Sequence, residues 1–504
     1  MKRQNIHTPD VHSGSTGLSR QMGLLGLAAT GICSMLGAAI NVIPFMIQRN
    51  VPGIGPYVLP AYLFAALPAV LAALAYAALA SAMPRAGGSY LYASRALSPY
   101  LGFVASFSQW FGLSIAIGVV SYVLIPFLRD IAAALDWDTV AGTLDNGNVR
   151  VILSMVFLWT FVFVNLRGIH LYERIIVPLM FLMFVLGAVV IVSGFIFSHP
   201  DFAASLLERE GRVLSGGPPA PFRLITYMAA SALLFSSFIG FDSIAQAGGE
   251  ARNPGRTLPV AIGIAIVTVG IFYMLFTGAV YHAVPWTFIA EASAKQDLTA
   301  PGLLGYLLPA GWTVAIVAGA AVALINDLPA MLLAVSRLMF AWAEDGIFPK
   351  IVARVHPRRH TPHVAILLSG LMATAGIAGQ HLAGDFFVGV DILVTSMLVN
   401  FLLMCLSVLA LPKRNPAIAE RVSVVSSRKA QILLGVSGTI VLSVFLIVHV
   451  WKDLTAPVKA WYFHTTPVWI AVMAAATLIY IREMRKLRRK GIDVHAIFSE
   501  LPPE

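Results

Sequence analysis

Residues 235–254 read FSSFIGFDSIAQAGGEARNP. The run before them, from residue 223, and the run after Pro254 both look like segments that cross a membrane. Between them stands Gly240-Phe241-Asp242. A carboxylate in hydrocarbon is costly, and glycine weakens a helix. What this interruption is for depends on the rest of the chain.

The composition sets the solvent. Of 504 residues, 58% are hydrophobic and 12% are charged. Soluble domains carry about 25% charged residues, so this is a polytopic membrane protein. The net charge of +10 reads as membrane orientation rather than nucleic-acid binding once it is placed on a topology. The two cysteines, Cys33 and Cys405, lie in apolar runs and imply no disulfide framework. Residues 1–21 are polar, with no apolar core or cleavage site. Helix 1 is expected to be its own insertion signal.

A span needs about 20 apolar residues. Twelve candidates follow: 22–46, 57–83, 97–128, 149–166, 172–197, 223–248, 257–283, 303–340, 362–380, 386–411, 429–451 and 462–482. They are helices 1 to 12 below. An even number puts both termini on one side. With that side inside, 25 of the 34 Lys and Arg residues are inside and 9 are outside, which favours cytoplasmic termini. The basic stretch IREMRKLRRKG (481–491) fits a cytoplasmic stop that touches anionic lipid. The chain beyond 491 reads as disordered. The loops 129–148 and 198–222, the second containing GGPPAP, are too short to fold alone.

Two spans are interrupted by small and polar residues: helix 1 at TGICSMLGAAIN (30–41) and helix 6 at FSSFIGFDS (235–243). They sit five helices apart. Transporters built from inverted repeats place discontinuous helices at matching positions of their two halves. The expected architecture is therefore all-α, with a first repeat over 22–197, a second over 223–411, two added helices over 429–482, and cytoplasmic ends at 1–21 and 483–504. A break frees N–H and C=O groups at membrane depth, which is tolerated where they line a cavity. Half-helix N-termini offer N–H groups to an anion, and freed carbonyls accept from an ammonium. A zwitterion suits such a site. The competing account is that Gly37 and Gly240 only allow close helix packing.

Four motifs, in order, carry a resemblance. They are SMLGAAINVIP in helix 1, AMPRAGGSYLYASRALSPYLGFVASFSQW (82–110), FIGFDSIAQAGGEARNPGRTLPVAI (238–262) and SRLMFAWAEDGIFPKIVARVHPRRHTP (336–362). Over roughly residues 20–410 the chain resembles the amino acid–polyamine–organocation superfamily, amino acid permease type. The resemblance implies a LeuT-like five-plus-five inverted repeat working by alternating access. It implies a substrate carboxylate at the backbone of Gly37, Ala38 and Ala39. The amine would meet carbonyls near Ser34, Met35, Ser236 and Ile239, with Ser237 and Gly240 in the same break. Phe238 and Phe241 flank that break, either closing over substrate or packing. Departures are Ala39 for a glycine, Asn41 for a phenylalanine, Ser236 for an aromatic residue, and Met183 where some relatives carry a coupling lysine.

Three acids fall inside spans, clear of the end residues: Asp242, Asp327 and Asp391. An ionisable group there is a functional hypothesis by default. Asp242 reads as a proton carrier or as a cap on freed N–H groups. Asp327, in NDLP (326–329), reads as a proton carrier, a partner for a cationic substrate or a helix-to-helix bond; Pro329 beside it is a potential kink. Asp391 reads as a solvated rim residue. Arg85 and Glu250 read as parts of an inner gate or as solvated pairs, and Asn165 as part of a surface anchor. His356, His360 and His363 read as a solvated basic loop rather than a metal site.

The expectation is a secondary active permease for an amino acid, in a cytoplasmic membrane, proton-coupled through Asp242 and Asp327. An amine or polyamine carrier, or an exchanger, is the alternative, and a channel is the alternative of another class. No cofactor is expected beyond a coupling proton or Na⁺, with Thr30, Ser34 and Ser336 as Na⁺-site hydroxyls. The expected partners are a small molecule and lipid. Motifs for metalloproteases and serine hydrolases are lacking, as is a nucleotide-binding loop. Ser114, Asp327 and Asn400 are further pocket candidates.

Overall fold

The computed structural model describes residues 18–214, 221–384, 386–458 and 461–502. The expectations for residues 1–17 and most of GGPPAP lie outside the described residues. All twelve spans form. Eleven helices are long and apolar enough to cross a membrane, and the bent pair Leu224–Phe238 and Asp242–Gly249 supplies the twelfth. The two breaks fall where expected. Helix 1 runs Leu24–Met35 and resumes at Ala38–Asn50. Helix 6 runs Leu224–Leu234, tightens to a 3₁₀ turn at Phe235–Phe238, and resumes at Ser243–Gln246 after a 42° bend.

Burial sorts the bundle. The most apolar windows of helices 1, 3, 8 and 10 are 94%, 78%, 83% and 72% buried, against 22% for helices 5 and 12. Helices 5 and 11 turn Phe181, Val185, Leu433 and Ile447 outward, as a lipid-facing surface requires. Lipid is as apolar as leucine, so close packing rather than water exclusion holds membrane helices together. Helices 3 and 9 show how: a Cβ on Gly118 would lie 2.5 Å from the Ala373 carbonyl, and one on Gly376 would lie 2.9 Å from the Ile115 carbonyl.

Both described ends of the chain meet one face of the bundle, here the terminal face. Met22 N–H donates to the Glu250 carbonyl at 2.8 Å, and Arg252 N–H donates to the Met22 carbonyl at 2.9 Å. The chain beyond 491 is not the disordered tail expected from its sequence. It forms a helix, Val494–Ser499. Arg95, from a helix at Gly88–Ala96 between helices 2 and 3, bonds the Ile497 and Glu500 carbonyls at 3.2 and 3.1 Å and faces the Phe498 ring. Arg85 Nε reaches the Pro502 carbonyl at 3.2 Å, and Asn415 Nδ2 the Ser499 carbonyl at 2.8 Å.

Other expectations also change. Helix 8 is one continuous helix, Ala310–Glu344, with Pro329 inside it, preceded by a separate turn at Ala300–Leu304. Asn165 is buried and donates to the Phe161 and Pro329 carbonyls, so it ties helix 4 to helix 8 rather than anchoring the surface. The 198–222 loop contains a helix, His199–Glu210, opened by a Ser198/Asp201 capping box. Its Phe202 packs on Phe288 and Tyr306, with centroids 4.8 and 5.4 Å apart.

Candidate functional site

The breaks face each other. Gly240 sits at φ +139°, and a Cβ there would stand 2.4 Å from the Ser34 carbonyl oxygen. Only glycine accepts both that dihedral and that approach. Helix 1 and helix 6 therefore touch backbone to backbone where each is unwound. Asp242 stabilises this turn: its Oδ1 accepts from the Gly240 N–H at 3.1 Å, and its Oδ2 accepts from Gln109 Nε2 of helix 3. Gln109 in turn accepts from Ser89 at 2.5 Å and from Gln246 at 3.2 Å. Asp242 is wholly buried in this network, so its carboxylate ties helix 6 to helix 3.

Beside the breaks, towards the face opposite the termini, lies a cavity with about 480 Å³ of empty space, part of it open to solvent. Of the residues singled out from sequence, Ser34, Met35, Ala39, Ser236, Ile239 and Asp327 line it. The rest of the wall comes from Ile43, from Ala116, Val119 and Val120 of helix 3, from Met331, and from Phe386, Gly389, Val390 and Leu393 of helix 10. These were missed because span patterns do not give a helix's rotation. The rows of small and β-branched residues on helices 3 and 10 were the available signal. The polar candidates Ser114 and Asn400 are not in this wall. Ser114 is buried elsewhere, and Asn400 donates to Tyr76 Oη at 2.7 Å.

Asp327 is the acid that reaches the cavity. Its neighbour Asn326 donates to Cys33 Sγ at 2.8 Å, which fixes helix 8 against helix 1 just before the break. The Asp327 carboxylate then lies over Gly37: a Cβ on that glycine would be 2.0 Å from Oδ2. Oδ1 is buried and has no hydrogen-bond partner among the described residues.

Most of the other candidate residues have partners within the protein. The Met35 carbonyl accepts from Tyr273 Oη at 2.7 Å, and the Ser236 carbonyl accepts from the Ile239 N–H at 3.2 Å. Both are thus partly engaged within the protein. Phe238 packs on Tyr62 and Tyr273 at 5.5 and 5.8 Å. Phe241 stacks on Phe401 at 5.1 Å and meets Tyr76 edge-on at 5.7 Å. Ser237 is fully buried. The Ala38 N–H, like that of Gly37, lies at the start of the second half of helix 1. Thr30, Ser34 and Ser336 have separate partners: Tyr172 Oη at 2.9 Å, Ser243 Oγ at 3.1 Å, and the Leu333 carbonyl at 2.9 Å. Ser336 also accepts from Arg337, so a guanidinium stands at that hydroxyl. Met183 and Asn41 meet in the wall of a second cavity between helices 1, 5, 7 and 8.

The terminal face is tied shut by two buried ion pairs. Arg337 of helix 8 grips Glu250 with both arms, at 3.1 and 2.5 Å, each side chain 2% exposed. Glu250 is therefore buried in an ion pair with Arg337 rather than solvated. Arg95 makes the second pair with Asp345, which also accepts from Tyr90 Oη at 2.7 Å. Asp391 is partly exposed, with His449 Nε2 at 3.2 Å from its carbonyl. His356 Nδ1 accepts from the N–H groups of Arg358 and Arg359 at 3.2 and 3.3 Å, which shapes the loop turn.

A helical bundle with two unwound spans meeting at a buried cavity, closed on one face, is the architecture of a membrane transporter rather than an enzyme. The comparisons with known proteins give the family. The amino acid permease family model matches residues 22–477, and the chain belongs to that family. It is 25% identical over 507 residues to a methylthioribose transporter of Bacillus subtilis, covering 96% of this chain and 98% of that protein. A mouse cationic amino acid transporter 4 is 28% identical over 392 residues, 74% of this chain and 57% of that one. A low-affinity putrescine importer of Escherichia coli is 24% identical over 344 residues, 68% of this chain and 69% of the other.

Proposed function

We propose that this protein is a secondary carrier that moves a small ammonium-bearing solute, an amino acid or an amine, by alternating access. The observation that carries the reading is the cavity built against two facing helix breaks. The two five-helix repeats rearrange about that site, which is closed on the terminal face and reaches towards the opposite one. The termini are cytoplasmic, as the distribution of basic residues favours. The movement is coupled to protons, with Asp242 and Asp327 as the acids. Asp242 links helix 6 to helix 3, so a change in its protonation bears directly on the break. The relatives named above support a carrier and differ in what their names say they move.

Counterflow in proteoliposomes tests this. Preloaded unlabelled solute should accelerate uptake of the labelled solute, with saturation, and Asp242→Asn should flatten the pH dependence of the net flux. Non-saturable flux without counterflow would make the protein a channel. An unchanged pH profile in Asp242→Asn would leave Asp242 a structural tie.

A further inference from the structure

Asp327 is the one ionisable side chain among the described residues lining the cavity, and it stands beside the start of the second half of helix 1. The second half of helix 1, Ala38–Asn50, begins at Gly37, and its first N–H groups are those a substrate carboxylate would need. Asp327 already stands there, its Oδ2 where a Gly37 side chain would begin. It is 3% exposed, with Oδ1 unpartnered among the described residues. A second carboxylate at this point would face a like charge. No Lys, Arg or His is among the described residues lining the cavity to balance it.

The remaining polarity is slight. The Ser236 hydroxyl donates to the Leu233 carbonyl at 2.6 Å, and the Ser34 hydroxyl shares its bond with Ser243. The walls above are Ile43, Val119, Val120, Met331, Phe386 and Val390. One buried carboxylate matches one ammonium. A second ammonium would lie unpaired against hydrocarbon, which is strongly unfavourable.

Resting on the carrier reading above, we propose that the substrate is a primary monoamine with an apolar body and no carboxylate. Asp327 is its counter-ion, and the walls of helices 3 and 10 receive its body. The Asp327 carboxylate pairs with either a proton or the amine, so the two compete.

Thermal stabilisation of the detergent-purified full-length protein at pH 7 decides this, because a ligand that binds the folded state raises apparent stability by mass action. The probes are matched pairs: phenethylamine with phenylalanine, isoamylamine with leucine, and putrescine with ornithine. Phenethylamine or isoamylamine should stabilise at a half-saturating concentration at least tenfold below that of its amino acid and of putrescine. Asp327→Asn should remove that stabilisation while leaving the unliganded melting point nearly unchanged. The wild-type comparison needs no variant, so poor folding of Asp327→Asn does not blunt the test. Phenylalanine or leucine binding more tightly than its amine overturns the monoamine assignment. If that binding is lost in Gly240→Val, the carrier site stands and only the substrate class falls. Putrescine binding best also overturns the assignment. Silence of all six probes overturns it too, and leaves the carrier reading to the counterflow experiment with a wider panel.

Discussion

At the scale of single residues, two aspartates that look alike in sequence have different surroundings. Asp242 accepts from Gly240 and Gln109 and is enclosed. Asp327 has an oxygen without a partner among the described residues and lines the cavity. A carboxylate bonded to N–H groups couples its own protonation to the elements it ties, whereas a buried carboxylate oxygen without a partner calls for a ligand or a proton. The glycines are as specific. Gly240→Val places a branched side chain on the Ser34 carbonyl at a dihedral that L residues rarely adopt, a strain of about 1–3 kcal/mol before the clash is counted. Ligand-induced thermal stabilisation should be lost in this variant, with a monodisperse elution profile retained. Gly278→Val is the control: a Cβ there meets nothing within 4 Å, and binding should be unchanged. Normal binding by Gly240→Val would remove the break from the site.

At the scale of elements, the spans and both breaks were legible because hydropathy and glycine placement are local signals. The ties between elements were not. Arg337 and Glu250 are 87 positions apart, and Arg95 and Asp345 are 250 apart, so no spacing announces them. Glu250 read as a loop acid because Gly248, Gly249 and Asn253 surround it. Only the packing shows helix 8 lowering an arginine onto it. The docked Val494–Ser499 helix was hidden likewise, since a stretch this short says nothing of the Arg95 that receives it. The Arg337–Glu250 pair makes an energetic prediction. Removing one partner of a buried pair leaves an uncompensated charge, at about 3–5 kcal/mol. Glu250→Gln should lower the apparent melting temperature by several degrees. Arg337→Lys should do so as well, because an ammonium cannot reproduce the two-armed grip. Wild-type melting in both would make the pair dispensable for the closed face.

At the scale of the whole molecule, the chain is a family permease whose closed face is sewn together by its own last residues. Arg95 holds Asp345 at the end of helix 8 and two carbonyls of the C-terminal segment. Hydrogen exchange at 494–502 should accelerate in Arg95→Ala while helices 3, 8 and 10 keep their protection. Equal exchange in the two proteins would mean that the segment is held mainly by Phe498, Asn415 and Arg85. The single guanidinium has a practical consequence. In the proposed cycle, opening the terminal face parts the Gly88–Ala96 helix from the end of helix 8, and Arg95 cannot follow both. If that cycle operates, the segment loosens and re-docks once per turnover, and exchange at its amides becomes a label-free clock for the working protein.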